Sequence, residues 1–405
     1  MKKNLVILGT GFAAFRFLKK VNRRLYNITI VSPRNHFLFT PLLPSTTVGT
    51  IEFRSIIEPI RNLDNTTYHQ AYCKEIHTEN SKIICEDADT KRNFELNYDI
   101  LIIAVGEVTN TYEIEGVKEY ALFLKELSDA RRIRVKVIDL FENASLPGVE
   151  EAERKRLLRF VICGGGPTGV EFSAELHDFI EDDVKKIYKN LKDDFEIILI
   201  EASDKILNSF DSKLSEYTMK IFKRNKIILK THSTVKKVTE DKIFLHDGSE
   251  IEYGLLVWST GNTTADIVKN SSLSKNRKGK IITDGYFRVK EFKNIYAVGD
   301  CAEIENRPLP VTAQVAQQEG LYLAKAFNNQ GKNVKEFSFR NLGMLAYIGS
   351  RKALADLPKY KGSGFATFLF WRSAYLTKLV SLKNKILVIF DWFKAFVFGR
   401  DVSNF

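Results

Sequence analysis

The chain has 405 residues, 44% of them hydrophobic and 27% charged, which allows two or three ordinary cores and excludes a collagenous or disordered class. The net charge of +11 is uneven: residues 331–405 hold 13 Lys/Arg against 4 Asp/Glu, a net of +9, leaving +2 for the other 330. Such a basic tail asks for an anionic partner, either nucleic acid or a membrane surface. Cys73, Cys85, Cys163 and Cys301 lack CxxC spacing. That argues against a disulfide framework, a zinc site and a dithiol redox centre, and favours a reducing compartment.

The first element follows Met1-Lys2-Lys3-Asn4 directly: an apolar strand, Leu5-Val6-Ile7-Leu8, then Gly9-Thr10-Gly11 and a helical pattern. The apolar run is too short for a secretory signal, so no cleavable presequence is expected. A second strand, Ile28-Thr29-Ile30-Val31, ends in Ser32-Pro33-Arg34. Residues 98–106 form another apolar strand that closes on Gly106. The plan then repeats. Phe160-Val161-Ile162-Cys163 runs into Gly164-Gly165-Gly166-Pro167-Thr168-Gly169, and residues 253–261 close on Gly261. Gly106 follows Gly9 by 97 residues, and Gly261 follows Gly164 by 97. Strands apolar at every position suit parallel sheets covered on both faces.

Gly-x-Gly-x-x-Gly/Ala works by geometry. The first glycine (Gly9, Gly164) makes the tight turn, and the second (Gly11, Gly166) lets a pyrophosphate approach the backbone. The third position (Ala14, Gly169) stays small so that helix and strand pack. The pyrophosphate then rests on the unpaired N–H groups of the helix N-terminus. Two such turns predict an α/β fold with two Rossmann-type dinucleotide-binding domains; two ordinary glycine turns are the plainer alternative. Glu201 ends the next strand of the second module, 32 residues after Gly169. There it would bind ribose hydroxyls and repel a 2′-phosphate, favouring NADH, or else be a solvated strand-end carboxylate. The first module has no acid at that point, and Ser32 is its ribose candidate. A later strand, 294–298, leads into Gly299-Asp300, where an aspartate can accept hydrogen bonds from a flavin ribityl chain or serve as a turn residue. The expected domains are 1–115 with 270–330 for FAD, 116–269 for NADH, and 331–405 as a C-terminal membrane-anchoring or dimerisation unit.

With these features in place the chain resembles the two-dinucleotide-binding-domain flavoproteins, and among them the type II (single-subunit, non-proton-pumping) NADH:quinone oxidoreductases. The likeness rests on Phe37–Pro44, Gly164–Glu171, Thr312–Glu319 and the ending Phe390-Asp391-Trp392 to Phe398-Gly399-Arg400-Asp401, and it covers nearly the whole chain. It is nearest to the internal enzymes of fungal mitochondria. The resemblance implies hydride transfer from NADH to FAD, then two electrons to a ubiquinone-type quinone. It sets the nicotinamide against Glu171, Ser259, Thr260 and Gly261, and the isoalloxazine against Gly11, Thr40, Pro41, Gly106 and Asp300. The quinone would meet Gln314 and Gln317, which share a helix face at i, i+3. Glu171 tunes the flavin or relays a proton, or else is a first-turn acid favoured by the helix dipole. No metal is implied. A membrane surface, probed by peripheral attachment, and a homodimer are the implied partners. The mitochondrial inner membrane is the implied place, with a bacterial cytoplasmic membrane as the alternative.

Helices are expected near 365–381 and 385–400. The second carries Ile386 to Phe390, Trp392, Phe393, Phe396 and Phe398, punctuated by Lys383, Lys385, Lys394 and Arg400. Aromatic, apolar and basic residues interleaved in this way suit a helix lying in a membrane interface and disfavour nucleic acid; a dimer or core helix is the plain alternative. Two other functions stay open: a soluble reductase of an iron–sulfur protein, and a flavoprotein like apoptosis-inducing factor that mainly binds partners.

Overall fold

The computed structural model describes residues 2–332 and 334–403. By contacts the chain divides into two compact units. One holds Met1–Phe37, Glu58–Val108 and Asn262–Asn341; the other holds Leu38–Ile57, Thr109–Gly261 and Leu342–Phe405.

The first unit is built on a seven-stranded sheet in the order Ile295–Ala297, Ile100–Ile103, Lys3–Leu8, Tyr26–Ser32, Thr66–His77, Lys82–Asp87, Asn93–Asn97. The first five strands are parallel and the last two continue as an antiparallel meander. Leu5, Ile7, Leu8, Leu101, Ile102 and Ile103 are all buried, as a strand covered on both faces requires. The late strand Ile295–Ala297 returns to pair with Leu101–Ile103, which brings Gly299-Asp300 to the same sheet as Gly9. The helices Phe12–Lys20 and Ala313–Asn328 pack tightly, because a side chain at Gly320 would strike the Ala13 carbonyl oxygen at 2.1 Å. The meander also pairs Cys73 with Cys85 across neighbouring strands, both as thiols. The twelve-residue separation in sequence hid this juxtaposition, because only the antiparallel register creates it.

The second unit has a five-stranded parallel sheet in the order Leu122–Phe123, Leu255–Trp258, Arg159–Cys163, Glu196–Ile200, Ile228–Lys230. Helix Pro167–Phe179 continues through a π-type turn over Ile180–Val184 and two further short turns. That extension fills the long interval between Gly169 and Glu201. The C-terminal part is an antiparallel sheet of Met344–Gly349, Lys352–Leu357 and Tyr360–Gly364, followed by helices Phe365–Lys378 and Leu382–Phe398. Among the described residues, no helix is long and apolar enough to cross a membrane.

Candidate active site

In the first unit, strand Lys3–Leu8 ends at Gly9, whose N–H donates to Val31 O at 2.9 Å. Gly9 has φ +103°, and a Cβ there would lie 2.3 Å from Ala104 O, so turn and close packing both require glycine. Two residues on, a Cβ at Gly11 meets nothing within 4 Å, while Ala14 is fully buried. Gly106, with φ +68°, is open in the same way. These are the properties of a cradle for a dinucleotide: fixed at its base, open at its lip, at a helix N-terminus. The residues present therefore fit FAD.

Ser32 ends the neighbouring strand, buried, with its hydroxyl 3.2 Å from that of Thr10 and accepting from the Arg34 N–H. Burial, then the nearby Arg34 cation, pushes His36 down to about 4. Gly299, at φ +77°, donates its N–H to the Glu319 carboxylate at 2.6 Å. Burial raises Glu319 to about 7, with the Asp300 charge adding to it and the Gly299 N–H opposing. Glu319 thus buttresses the Gly299-Asp300 turn from helix Ala313–Asn328, a role absent from the sequence reading. Its position in Gln317-Gln318-Glu319 was the available signal. Thr312 caps this helix by accepting from Val315 N–H, and Gln314 and Gln317 are half-buried on its first turns. Gln318 is tied to the Arg340 backbone by two hydrogen bonds of 2.8 and 3.0 Å.

In the second unit the same logic recurs. Gly164 has φ +115°, and a Cβ there would lie 2.9 Å from the Thr260 side chain. At Gly169 it would lie 2.0 Å from Gly164 O, so the third small residue is enforced by strand–helix contact. At Gly166 nothing lies within 4 Å. Ser259 donates its hydroxyl to Cys163 O at 3.0 Å, and Gly261 has φ +76° beside Tyr112. Glu201 accepts from Gly165 N–H at 2.6 Å and from both the N–H and hydroxyl of Ser203. Its carboxylate is thereby fixed beside the glycine turn.

Glu171 is buried one turn into helix Pro167–Phe179 and accepts the Tyr347 N–H at 3.0 Å. Burial pushes it up to about 8; the Glu175 charge raises it further and the Tyr347 N–H opposes. Glu175, one turn on, is also buried and held above the usual carboxylate range by burial, although Ser45 and Thr50 donate to its two oxygens at 2.7 and 2.8 Å. Those donors fix the segment that begins with Thr40 and Pro41, where Pro41 sits in the first turn of a short helix. Sequence reasoning missed Glu175, although its i+4 spacing from Glu171 was visible. Among the described residues no cluster of His, Cys, Asp and Glu suits a metal ion.

Helix Leu382–Phe398 is docked through Asn384, Val388, Asp391 and Trp392, a mixed polar and apolar face. Asn384 and Asp391 are buried: Asn384 donates to Ser55 O and Ile57 O, and Asp391 accepts from Ser55 Oγ and Glu52 N–H. Lys394 pairs with Glu52 at 2.6 Å. Leu382, Ile386, Ile389, Phe390, Phe393 and Phe396, at i, i+3, i+4 spacing, face outward. The helix thus presents an apolar face outward as well as burying Val388 and Trp392.

Against known proteins, residues 3–320 match the family model described as pyridine nucleotide-disulphide oxidoreductase, and residues 341–401 match the NDH2 C-terminal domain. The chain is 48% identical over its whole length to a probable NADH dehydrogenase of Dictyostelium discoideum, spanning 91% of that protein. It is 42% identical over 99% of its length to the mitochondrial external NADH-ubiquinone oxidoreductase 2 of Saccharomyces cerevisiae, spanning 82% of it. The structure of NDH2 from Plasmodium falciparum in complex with NADH superposes with a TM-score of 0.96 at 30% identity, covering all of both chains.

Proposed function

The chain belongs to the pyridine nucleotide-disulphide oxidoreductase family, among the type II NADH dehydrogenases, and from that premise we propose where its reaction is carried out. It is an FAD-dependent enzyme that oxidises NADH with a quinone and does not pump protons. The soluble iron–sulfur reductase and partner-binding readings give way to it, since relatives that match all or nearly all of the chain are named NADH dehydrogenase, NADH-ubiquinone oxidoreductase or NAD(P)H-ubiquinone oxidoreductase.

One observation carries the assignment of the two nucleotide sites. In each strand–glycine–helix turn the first and third small residues are locked by packing, and the second alone is open. Gly9, Gly11, Ala14, Ser32, Gly106, Gly299 and Asp300 hold FAD. Gly164, Gly166, Gly169, Glu201, Ser259, Thr260 and Gly261 hold NADH. Bound FAD supplies a centre that accepts hydride from NADH and returns two electrons to the quinone. The protein positions the reactants and keeps water out. Glu171, protonated at neutral pH by its burial, holds a proton within the site. Gln314 and Gln317 present hydrogen-bonding amides to the quinone head group.

Helix Leu382–Phe398 supports attachment to one leaflet of a membrane through its outward apolar face. A homodimer and a mitochondrial inner-membrane location go with this reading; the latter follows the mitochondrial names of relatives. Stopped-flow separation of the two half-reactions tests the site assignment. Gln317→Ala should leave flavin bleaching by NADH intact and slow its return on adding quinone. Equal rates for both halves in variant and parent would remove Gln317 from the site.

A further inference from the structure

A cavity of about 1110 Å³ opens within the second unit, apart from the glycine turns already described. Its walls come from the end of helix Pro167–Phe179 and the turns after it, from Ser350 and Arg351, and from the two C-terminal helices. Several of the charges here are matched. Arg400 pairs with Asp183 at 2.8 Å and donates to Asp178 O and Thr50. Asp178 takes the Tyr347 hydroxyl and the Ser350 N–H, and Lys185 pairs with Glu181.

Arg372 forms none of these pairs and is the cation held between aromatic rings. Its guanidinium lies between two ring faces, 4.6 Å from Phe368 and 4.7 Å from Trp392. Among the described residues, its Nε is buried without a hydrogen-bond partner and its side chain forms no ion pair. Burial above all lowers its pKa, and the cations Arg351 and Arg400 act in the same direction, against Glu175 and Tyr347. A stacked, partly desolvated cation whose charge is not paired attracts an anion. Arg351, exposed and 5.6 Å above the Phe396 ring, adds a second cation on the same wall.

The rim is of the opposite character. Phe396, Val397 and Phe398 line the cavity and are also 71%, 50% and 78% exposed, so the wall runs directly into the outward apolar face of the last helix. We propose that this cavity binds the headgroup of an anionic phospholipid, with the phosphate at Arg372 and Arg351 and the acyl chains along Phe396 and Phe398. The site rests on the reading of that helix as a membrane-contacting face. It makes attachment selective for anionic lipid beyond the general attraction of the basic tail. A free phosphate shares the headgroup chemistry but has nothing to place on the rim.

The test uses the protein's own tryptophans in the FAD-loaded full chain. Two of the three, Trp371 and Trp392, line the cavity. Monomeric dihexanoyl phosphatidylglycerol should shift their emission saturably, with dihexanoyl phosphatidylcholine and inorganic phosphate weaker by at least about tenfold. Arg372→Met should raise the half-saturating concentration by about tenfold or more, and Arg351→Gln by severalfold. Lys359→Gln, which removes the same charge outside the cavity, should change nothing. The proposal is overturned if both lipids act alike, if inorganic phosphate alone reproduces the response, or if the arginine variants match the parent. It is overturned also if lipid is ignored wherever sedimentation shows a dimer, since a second copy then covers the cavity. Flotation with pure phosphatidylcholine vesicles checks the membrane reading separately. Flotation without a saturable response sinks this site alone; no flotation sinks the reading beneath it.

Discussion

Replacing Phe393 and Phe396 by serine probes the last helix most sharply. The two side chains are 57% and 71% exposed and make no part of the buried polar anchor at Asn384 and Asp391. Folding should therefore be indifferent to the change, with a melting temperature within a degree or two of the parent. Membrane affinity should not be. A phenyl side chain offers roughly 200 Å² of surface, so the pair exposes on the order of 250 Å². At about 25 cal/mol per Å² full burial in lipid is worth about 6 kcal/mol, and half of that is a reasonable share for an interfacial position. Partitioning onto phosphatidylcholine vesicles should fall by about 100-fold, measured by flotation over a range of lipid concentrations. NADH oxidation with a soluble acceptor should be unchanged. A double variant that floats like the parent would refute the claim that this face meets lipid. A variant that unfolds would show that the face is covered by protein.

Other consequences follow from single residues. The folded state holds the Glu171 proton to about pH 8 against an ordinary 4.5. Folded protein thus binds more protons than unfolded across that window, and stability falls as pH rises through it, by at most a few kcal/mol. Glu171→Gln removes this slope, so its melting temperature should gain on the parent between pH 5 and pH 9; parallel curves would contradict the buried, protonated carboxyl. Gly9→Ala forces a Cβ to 2.3 Å from Ala104 O at φ +103° and should lower the stability of the flavin-free protein by about 2 kcal/mol or more. Gly11→Ala meets open space, so that stability should hold while FAD affinity drops; equal thermal melts for the two flavin-free variants would refute the assignment of locked and open positions. Glu201→Gln should raise the ratio of NADPH to NADH efficiency by about tenfold, read from kcat/KM with each nucleotide, because a fixed negative charge no longer faces the 2′-phosphate. An unchanged ratio would place the ribose elsewhere.

The parts legible in the sequence are those set by neighbours along the chain. Apolar strands ending at Gly9 and Gly164 announce parallel sheet and turn within ten residues, and helices expected near 365–381 and 385–400 occur at Phe365–Lys378 and Leu382–Phe398. Which face of the last helix points inward was not legible. Asn384 and Asp391 are buried only because Ser55 and Glu52, more than 300 residues earlier, supply their partners. Glu319 and Glu175 escaped for the same reason: each is defined by a backbone N–H or hydroxyl from a remote segment, Gly299 for one, Ser45 and Thr50 for the other. Arg372 reads as one more tail cation until Phe368 and Trp392 close on it.

Steady-state turnover of the purified protein tests whether NADH is oxidised by quinone through bound FAD. NADH consumption should require a short-chain ubiquinone, proceed far more slowly with NADPH, and track the FAD content seen in the visible spectrum. A protein whose flavin is bleached by NADH but which leaves every quinone untouched would not be a quinone reductase.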